Sequence, residues 1–435
     1  MSCQFLQHNL AHIEPRWPKL ARELEKAELP TQVELVVSGP VQTLVIDGIQ
    51  ICSRYDRQRD ARLQASLVPQ GSEVAYIYGL DAGDLIRELL ARHELKSLNL
   101  IPMNMAADKA TFSFFDHQDW LTDPRVNILN IETEKELQLP FSCAPAFLYL
   151  ADDSSARLRD LIYLELSTPY IKQQHSARQT EVLLQLDENE SFVQVDRDVA
   201  DLFDTGATEN IVIAAAGPTL SDQLDWMKKH RDSFRLIAVD AAVRTLITAE
   251  LIPDCILSVD SQPVLFELFF DGLDLNRLSN TSLVYFPVVN RKILNAWPGE
   301  RFTAYSNHPI FSVMSARYPR GELFSSGSVI HPAIDLARKM GARRIILVGA
   351  DFSFTKGQSH VAGSRHQLDI KTHSSCWVLN GLGERVPSSP NYVGYLRDLE
   401  RYLARNTQID FLNTSQEGAL IEGTTFFNGG TDTWK

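Results

Sequence analysis

The chain has 435 residues, 44% of them hydrophobic and 22% charged, with a formal net charge of −13. That length leaves room for two or three domains of ~100–200 residues, and the composition is that of an ordinary globular protein. The acidic surplus argues against a nucleic-acid partner, since neutralising phosphates needs Lys and Arg in excess on one face, though it leaves open a local pocket for one nucleotide.

Residues 1–30 read as an amphipathic helical lead-in, with Leu10, Ile13, Trp17, Leu20 and Leu24 at helical spacing. Val33–Val37 and Thr43–Ile46 read as strands around Gly39-Pro40, with a second turn at Asp47-Gly48. Val74–Tyr78 then ends in the turn Tyr78-Gly79-Leu80-Asp81-Ala82-Gly83-Asp84, followed by a helix Leu85–His93 and an apolar run Leu98–Ile101. Strand, glycine turn, helix and strand make a βαβ unit, so 31–185 is expected to be a small Rossmann-like domain. Its turn lacks a third glycine, and no acidic residue follows Ile101 to hold a ribose, so the turn is expected to be structural. The acidic stretch 185–208 reads as turn-rich and as the domain boundary.

The second domain, 205–425, is patterned more strongly, and its core runs from about Glu209 to Asn413. Ile211–Ala216 is wholly apolar, as for a strand covered on both faces. Strands are expected at Leu236–Val239, Ile256–Val259, Leu283–Phe286, Phe302–Tyr305, Ile345–Val348 and Ile409–Leu412. Helices are expected after the turn Gly217–Ser221 to about His230, and at Ala241–Glu250, Ser328–Met340 and Tyr392–Ala404. This alternation predicts a doubly wound α/β domain with a parallel sheet and right-handed crossovers.

In such folds ligands bind beyond the C-terminal ends of the strands. The first strand runs into Gly217-Pro218-Thr219, a small polar turn at a helix start and a candidate phosphate site. Three strands end in Asp240, Asp260 and Asp351, which would hold sugar hydroxyls, a metal or a proton; Asp240 is expected to be a helix cap. Ser325-Ser326-Gly327-Ser328 supplies a second hydroxyl-rich helix start, for which ordinary N-capping is the plainer alternative. A polar loop after Asp351 carries His360, His366 and His373, whose spacings of six and seven do not fit a helical zinc pair.

Cys3, Cys52, Cys143, Cys255 and Cys376 are far apart with no CxxC pair, which argues against a cysteine zinc site or disulfide framework and suits a reducing compartment. GxSxG and P-loop motifs are lacking. Met1–Arg16 lacks the pattern of a signal peptide, and no apolar run reaches ~18 residues, so a cytoplasmic protein without a membrane span is expected.

Several segments in this order resemble the motility-associated-factor (MAF)/MptE-like family. They are Ile213–Leu220, Ile237–Asp240, Ile252-Pro253-Asp254, Ser258-Val259-Asp260, Gly327-Ser328 with Ala337 and Gly341, and Val348–Phe354 with Gly357–His360. Asn413-Thr414, Gly418-Ala419 and Gly423-Thr424 complete the set, so the resemblance covers about 209–425. Asp47-Gly48, Ser53-Arg54-Tyr55-Asp56 and Tyr78–Gly83 are similar to the MAF N-terminal domain. Two departures stand out: Thr219 replaces a more usual Ser, and no long helical region follows Gly423, which bears on recognition of flagellin.

The resemblance implies a sialyltransferase-like second domain moving a nonulosonic (sialic-acid-like) sugar from a CMP-linked donor to flagellin or another protein acceptor. It places Gly217, Pro218, Thr219 and Gly349 at the phosphates, with Asp240 and Ser258 nearby, and Ser326, Gly327 and Ser328 at the nucleotide. Asp260 or Asp351 would orient hydroxyls, and His360, with Asp351, would be the catalytic pair. No cofactor or metal is required on this reading, because helix starts stabilise the leaving phosphate. The family's archaeal members imply an alternative: an ATP-dependent diphosphokinase acting on a hydroxymethyl pterin, with Mg²⁺ on Asp260 and Asp351. A non-catalytic nucleotide-binding protein is a further alternative.

Overall fold

Residues 5–129, 136–205, 210–361 and 376–428 are described in a computed structural model, with backbone alone for 168–178. The chain separates into two units, Met1–Leu166 and Ser167–Lys435. It passes from one to the other within the helix Ala156–Val195.

In the first unit, helices Leu6–Ile13 and Pro18–Lys26 bury Leu10, Ile13, Leu20 and Leu24, the residues whose spacing marks the amphipathic face. A three-stranded antiparallel sheet follows: β1 (Val33–Ser38), β2 (Val41–Ile46) and β3 (Ile49–Gln50). A four-stranded parallel sheet contains β4 (Val74–Tyr78), β5 (Ser97–Ile101), β6 (Val126–Ile128) and β7 (Phe141–Cys143) in the order β6-β5-β4-β7. The helix Asp84–Leu90 joins β4 to β5. Strand order reverses between β4 and β7, where a ligand crevice would open. That place is filled: a Cβ on Gly79 would lie 2.4 Å from the Cβ of Phe147, which is itself fully buried. The glycine in this turn serves packing.

Among its described residues the second unit contains nine parallel strands: β8 (Arg197–Asp198), β9 (Asn210–Ala214), β10 (Arg235–Val239), β11 (Cys255–Ser258), β12 (Ser282–Tyr285), β13 (Arg301–Thr303), β14 (Arg344–Val348), β17 (Asp410–Asn413) and β18 (Thr425–Phe426). A separate hairpin holds β15 (Trp377–Leu379) and β16 (Arg385–Pro387). The sheet order is β18-β17-β14-β9-β10-β11-β12-β13-β8. From β9 the chain steps outward to β13. It then returns to the other side of β9 with β14, and the reversal falls between β9 and β14.

Alternate residues feed two separate cores. Ile211, Ile213, Ile237, Leu257, Ile345 and Leu347 join one, while Val212, Ala214, Leu236, Ile256, Ile346 and Val348 join the other. A strand with both faces covered has no polar face to show, which is why these strands read as continuous apolar runs.

Three expectations differ from the structure. Residues 185–195 are helical rather than turn-rich: Leu186, Asn189 and Val193 form one buried stripe at helical spacing, and the acidic residues lie between them. Asn189 Nδ2 donates to the carbonyls of Pro287 (2.9 Å) and Val289 (2.8 Å). The helix expected at Ala241–Glu250 begins as a 3₁₀ turn, Asp240–Ala242, and continues as Val243–Thr248. The two-residue strands β8 and β18 and the β15–β16 hairpin are too short for a periodicity to betray them.

Candidate active site

The C-terminal edge of the large sheet gathers polar groups in two sets, one closed by contacts within the protein and one open.

The closed set lies at the β9/β14 reversal. Asp351 follows β14 and is 3% exposed. Its Oδ2 accepts from the Thr219 backbone N–H (2.9 Å) and its Oδ1 from the Thr219 hydroxyl (2.5 Å). Ser415 also hydrogen-bonds to this carboxylate. Glycines wall it in: a Cβ on Gly217 would lie 2.5 Å from Oδ2, and one on Gly418 2.6 Å from Oδ1. Gly217 N–H donates to the carbonyl of Gly349 (2.8 Å), tying the two strand ends together. Burial pushes the Asp351 carboxyl upward, against the opposing pull of Thr219 and Ser415.

The expected phosphate turn Gly217-Pro218-Thr219 is therefore occupied by the protein's own anion. A helix start attracts negative charge, and here Asp351 supplies it. Asp351, expected as a catalytic group, holds this turn and does not face an open space. Its neighbour Phe352 has φ +46°, as Lys356 has φ +57°, a strained backbone pair of the kind that clusters at functional sites.

Asp240 and Ser258 close a second contact between the ends of β10 and β11. The Ser258 hydroxyl donates to Asp240 Oδ2 (2.7 Å), and the Ala241 N–H to Oδ1 (2.8 Å). Asp240 is 2% exposed, and burial, partly offset by Ser258, pushes its pKa to about 7. The nearby Asp260 adds to the rise. Asp260 itself is half-buried and accepts from Gln262 N–H (3.0 Å) and Gln262 Nε2 (3.1 Å).

The open set is built on Ser325–Ser328 and the helix Pro390–Ala404. Ser326, expected to touch the nucleotide, donates its hydroxyl to Asp398. Gly327 has φ +80°, and a Cβ there would lie 2.5 Å from Tyr395 Cε1, so the turn rests directly on the Tyr395 ring. Below it, the buried His331 donates from Nε2 to the Tyr395 carbonyl (2.9 Å), and burial holds its pKa below the ordinary value. The hydroxyls of Ser325 and Ser328, both half-buried, have no hydrogen-bond partner among the described residues.

His360 is half-buried with Nδ1 3.1 Å from the Ser359 hydroxyl. The Tyr392 hydroxyl donates to the Ser359 carbonyl (3.3 Å), and Val361 N–H donates to the Ala216 carbonyl (2.9 Å). The latter bond brings the segment after Asp351 beside the first turn. His366 and His373 lie outside the described residues.

Tyr392, Tyr395 and Asp398 were not singled out by sequence. They recur at i, i+3 and i+6 on one helix face, a spacing that reads equally as packing. Burial raises both tyrosine pKa values, with further upward pushes from Asp351 on Tyr392 and from Asp260 on Tyr395.

Asp260 and Asp351 are the magnesium ligands of the diphosphokinase alternative. Both oxygens of each carboxylate are engaged by protein donors, and among the described residues no group of three or more His, Cys, Asp or Glu is placed to hold a metal. A cleft of about 630 Å³ adjoins Ser326 and Asp398. Its cations are largely engaged by its carboxylates: Arg338 with Asp335 (2.9 Å) and Arg401 with Asp398 (3.3 Å).

The model of the family "6-hydroxymethylpterin diphosphokinase MptE-like" matches residues 185–357. This stretch, less than half of the chain, is similar to the MptE-like family. The matched stretch carries β9–β14 and every expected site residue up to Gly357, whereas His360, Tyr395, Asp398 and Ser415 lie beyond it.

An uncharacterised protein of Treponema pallidum (strain Nichols) is 27% identical over 229 residues, 48% of this chain and 39% of that one. The chain thus spans about two-fifths of that relative's length. Among solved structures, a MAf glycosyltransferase from Magnetospirillum magneticum AMB-1 aligns over 99% of this chain and 75% of its own, at 15% identity and a TM-score of 0.44. A thiamin pyrophosphokinase from Geobacillus thermodenitrificans covers 32% of this chain and 46% of its own, at 19% identity and a TM-score of 0.18. Likeness at these scores decides nothing about activity. Among the described residues no helix is long and apolar enough to cross a membrane.

Proposed function

We propose that the chain is a glycosyltransferase that moves a nonulosonic sugar from a CMP-linked donor to a protein hydroxyl, with flagellin as the first acceptor to test. The observation that carries this reading is the pair of hydroxyls, Ser325 and Ser328, that no described protein group engages, on a turn packed against the Tyr395 ring. Hydroxyls that no protein group engages are available to donate to, or accept from, a hydrogen-bonding ligand. The sequence resemblance to MAF proteins supplies the donor class.

On this reading Ser325 and Ser328 contact the nucleotide, and Gly327 lets it approach the main chain. Asp260 accepts from sugar or ribose hydroxyls. The phosphate sits outside the Gly217–Thr219 turn, because Asp351 already takes the Thr219 donors. Asp351, Asp240 and Ser258 brace the strand ends. His360 takes the proton from the acceptor hydroxyl as that oxygen bonds to the anomeric carbon. The bond from that carbon to the phosphate oxygen breaks, and CMP leaves with the electron pair.

The family model's description favours a second reading, transfer of diphosphate from ATP to a pterin alcohol, which needs Mg²⁺. Transfer assays with CMP-sugars, with and without EDTA, separate the two. The leading reading expects metal-independent transfer that falls at least tenfold in His360→Ala, the scale of a lost general base. Full transfer by that variant would remove His360 from the mechanism, and transfer only from ATP with Mg²⁺ would replace the reading.

A further inference from the structure

We infer that Gln185 is a positioning residue, which fixes the loop that follows β11 and carries Asp260, and does so at some cost in stability. This rests on the proposed reading for Asp260 as a ligand contact, and not on which nucleotide binds.

The loop 260–264 closes on itself, because Asp260 accepts from both the main chain (3.0 Å) and the side chain (3.1 Å) of Gln262. Gln262, Pro263 and Val264 are exposed. Among the described residues, two side chains from outside the loop fasten it by hydrogen bonds. Gln185, on the helix Ala156–Val195, donates from Nε2 to the Ser261 carbonyl (3.0 Å). Asn290 donates from Nδ2 to the Pro263 carbonyl. The first of these bonds falls on the residue next to Asp260.

The other half of the Gln185 carboxamide is unsatisfied: Oε1 is buried and has no hydrogen-bond partner among the described residues. A buried acceptor without a donor destabilises the fold, and an apolar side chain of the same shape would avoid that penalty. Asn189, one turn along the same helix, also leaves its Oδ1 buried and unpartnered. Its Nδ2, however, serves the carbonyls of two buried residues, Pro287 and Val289. Those carbonyls would be orphans without it, so Asn189 is accounted for by stability alone. Ser261 is only half-buried and borders the exposed end of its loop, where water can serve a carbonyl instead. Stability therefore does not account for Gln185, and what its bond secures is the place of the loop beside Asp260. Groups that lower stability are retained where a site must be held in one geometry.

The test uses the full chain carrying Gln185→Met, which keeps the length of the side chain and removes both the donor and the buried acceptor. Three quantities are compared with wild type: stability in urea, amide hydrogen exchange over 259–265, and calorimetric affinity for CMP and for ATP with Mg²⁺. Stability is expected to equal or exceed that of wild type. Exchange over 259–265 is expected to quicken about threefold to tenfold, the range for one hydrogen bond, and the nucleotide that binds wild type should bind more weakly by a similar factor. Leu184→Ala, at an exposed neighbouring position, serves as the control and should change none of the three. A loss of stability in Gln185→Met would mark the residue as structural, and unchanged exchange would mean that it positions nothing; either overturns the inference. Faster exchange with unchanged affinity would overturn it too, by placing the loop outside the ligand site. If ATP with Mg²⁺ binds in place of CMP and is weakened by Gln185→Met, Gln185 keeps its role and the CMP reading falls. A wild type that binds neither nucleotide would overturn both.

Discussion

Asp240→Asn is expected to make the second unit more stable at pH 8 than the unchanged chain. Asp240 is buried, and its carboxyl is raised from about 3.8 in the unfolded chain to about 7 in the fold. A raised folded-state value means the native state holds the proton more tightly. The favourable contribution is thus complete below pH ~4 and is lost as pH rises through 7. Over that window the loss is about 4 kcal/mol, at ~1.4 kcal/mol for each pH unit between the two values. Asparagine cannot lose a proton. Its side chain keeps an acceptor for the Ala241 N–H and offers a donor to the Ser258 hydroxyl. Urea denaturation of both chains at pH 5, 6, 7 and 8 reads the difference. It is expected to grow in favour of asparagine by about 3 kcal/mol from pH 5 to pH 8, most of it before pH 7. A difference that stays flat across these pH values would refute the reasoning, because it would mean that Asp240 is ionised throughout or accessible to water.

Thr219→Val removes the hydroxyl that donates to buried Asp351. It should cost about 1.5–3 kcal/mol in chemical denaturation at pH 7, the range for a hydrogen bond to a charged group, whereas Thr219→Ser should cost under ~1 kcal/mol because it keeps the donor. Gly327→Ala should lower stability by about 1–3 kcal/mol, since its Cβ would meet the Tyr395 ring and φ is +80°. It should weaken nucleotide binding by more than Ser326→Ala, which removes a hydroxyl already committed to Asp398. Paired calorimetry of the two variants checks that order.

Much of the fold was legible because its strands are buried on both faces. Ile211–Ile213 and Ile345–Val348 are unbroken apolar runs, and helices closed by Gly341 or opened by Pro218 mark themselves. Legibility failed where burial is one-sided or elements are short. The helix through 185–195 exposes an acidic face that hides a three-residue buried stripe, and β8 and β18 have two residues each.

The candidate site was legible by position but not by partnership. Sequence places Thr219 and Asp351 at neighbouring strand ends, yet it does not tell that one satisfies the other across 132 residues. Nor does it tell that Ser326 is committed to Asp398 while Ser325 and Ser328 remain open.

The most direct test of the account is a thermal-shift titration with CMP, CDP, UDP, GDP and ATP, each with and without Mg²⁺. A ligand that binds only the native state raises the midpoint by mass action, by ~2.7 kcal/mol of stabilisation at a hundred times its Kd. The account predicts selective stabilisation by CMP that is unchanged by Mg²⁺. A shift seen only with ATP and Mg²⁺ would contradict it.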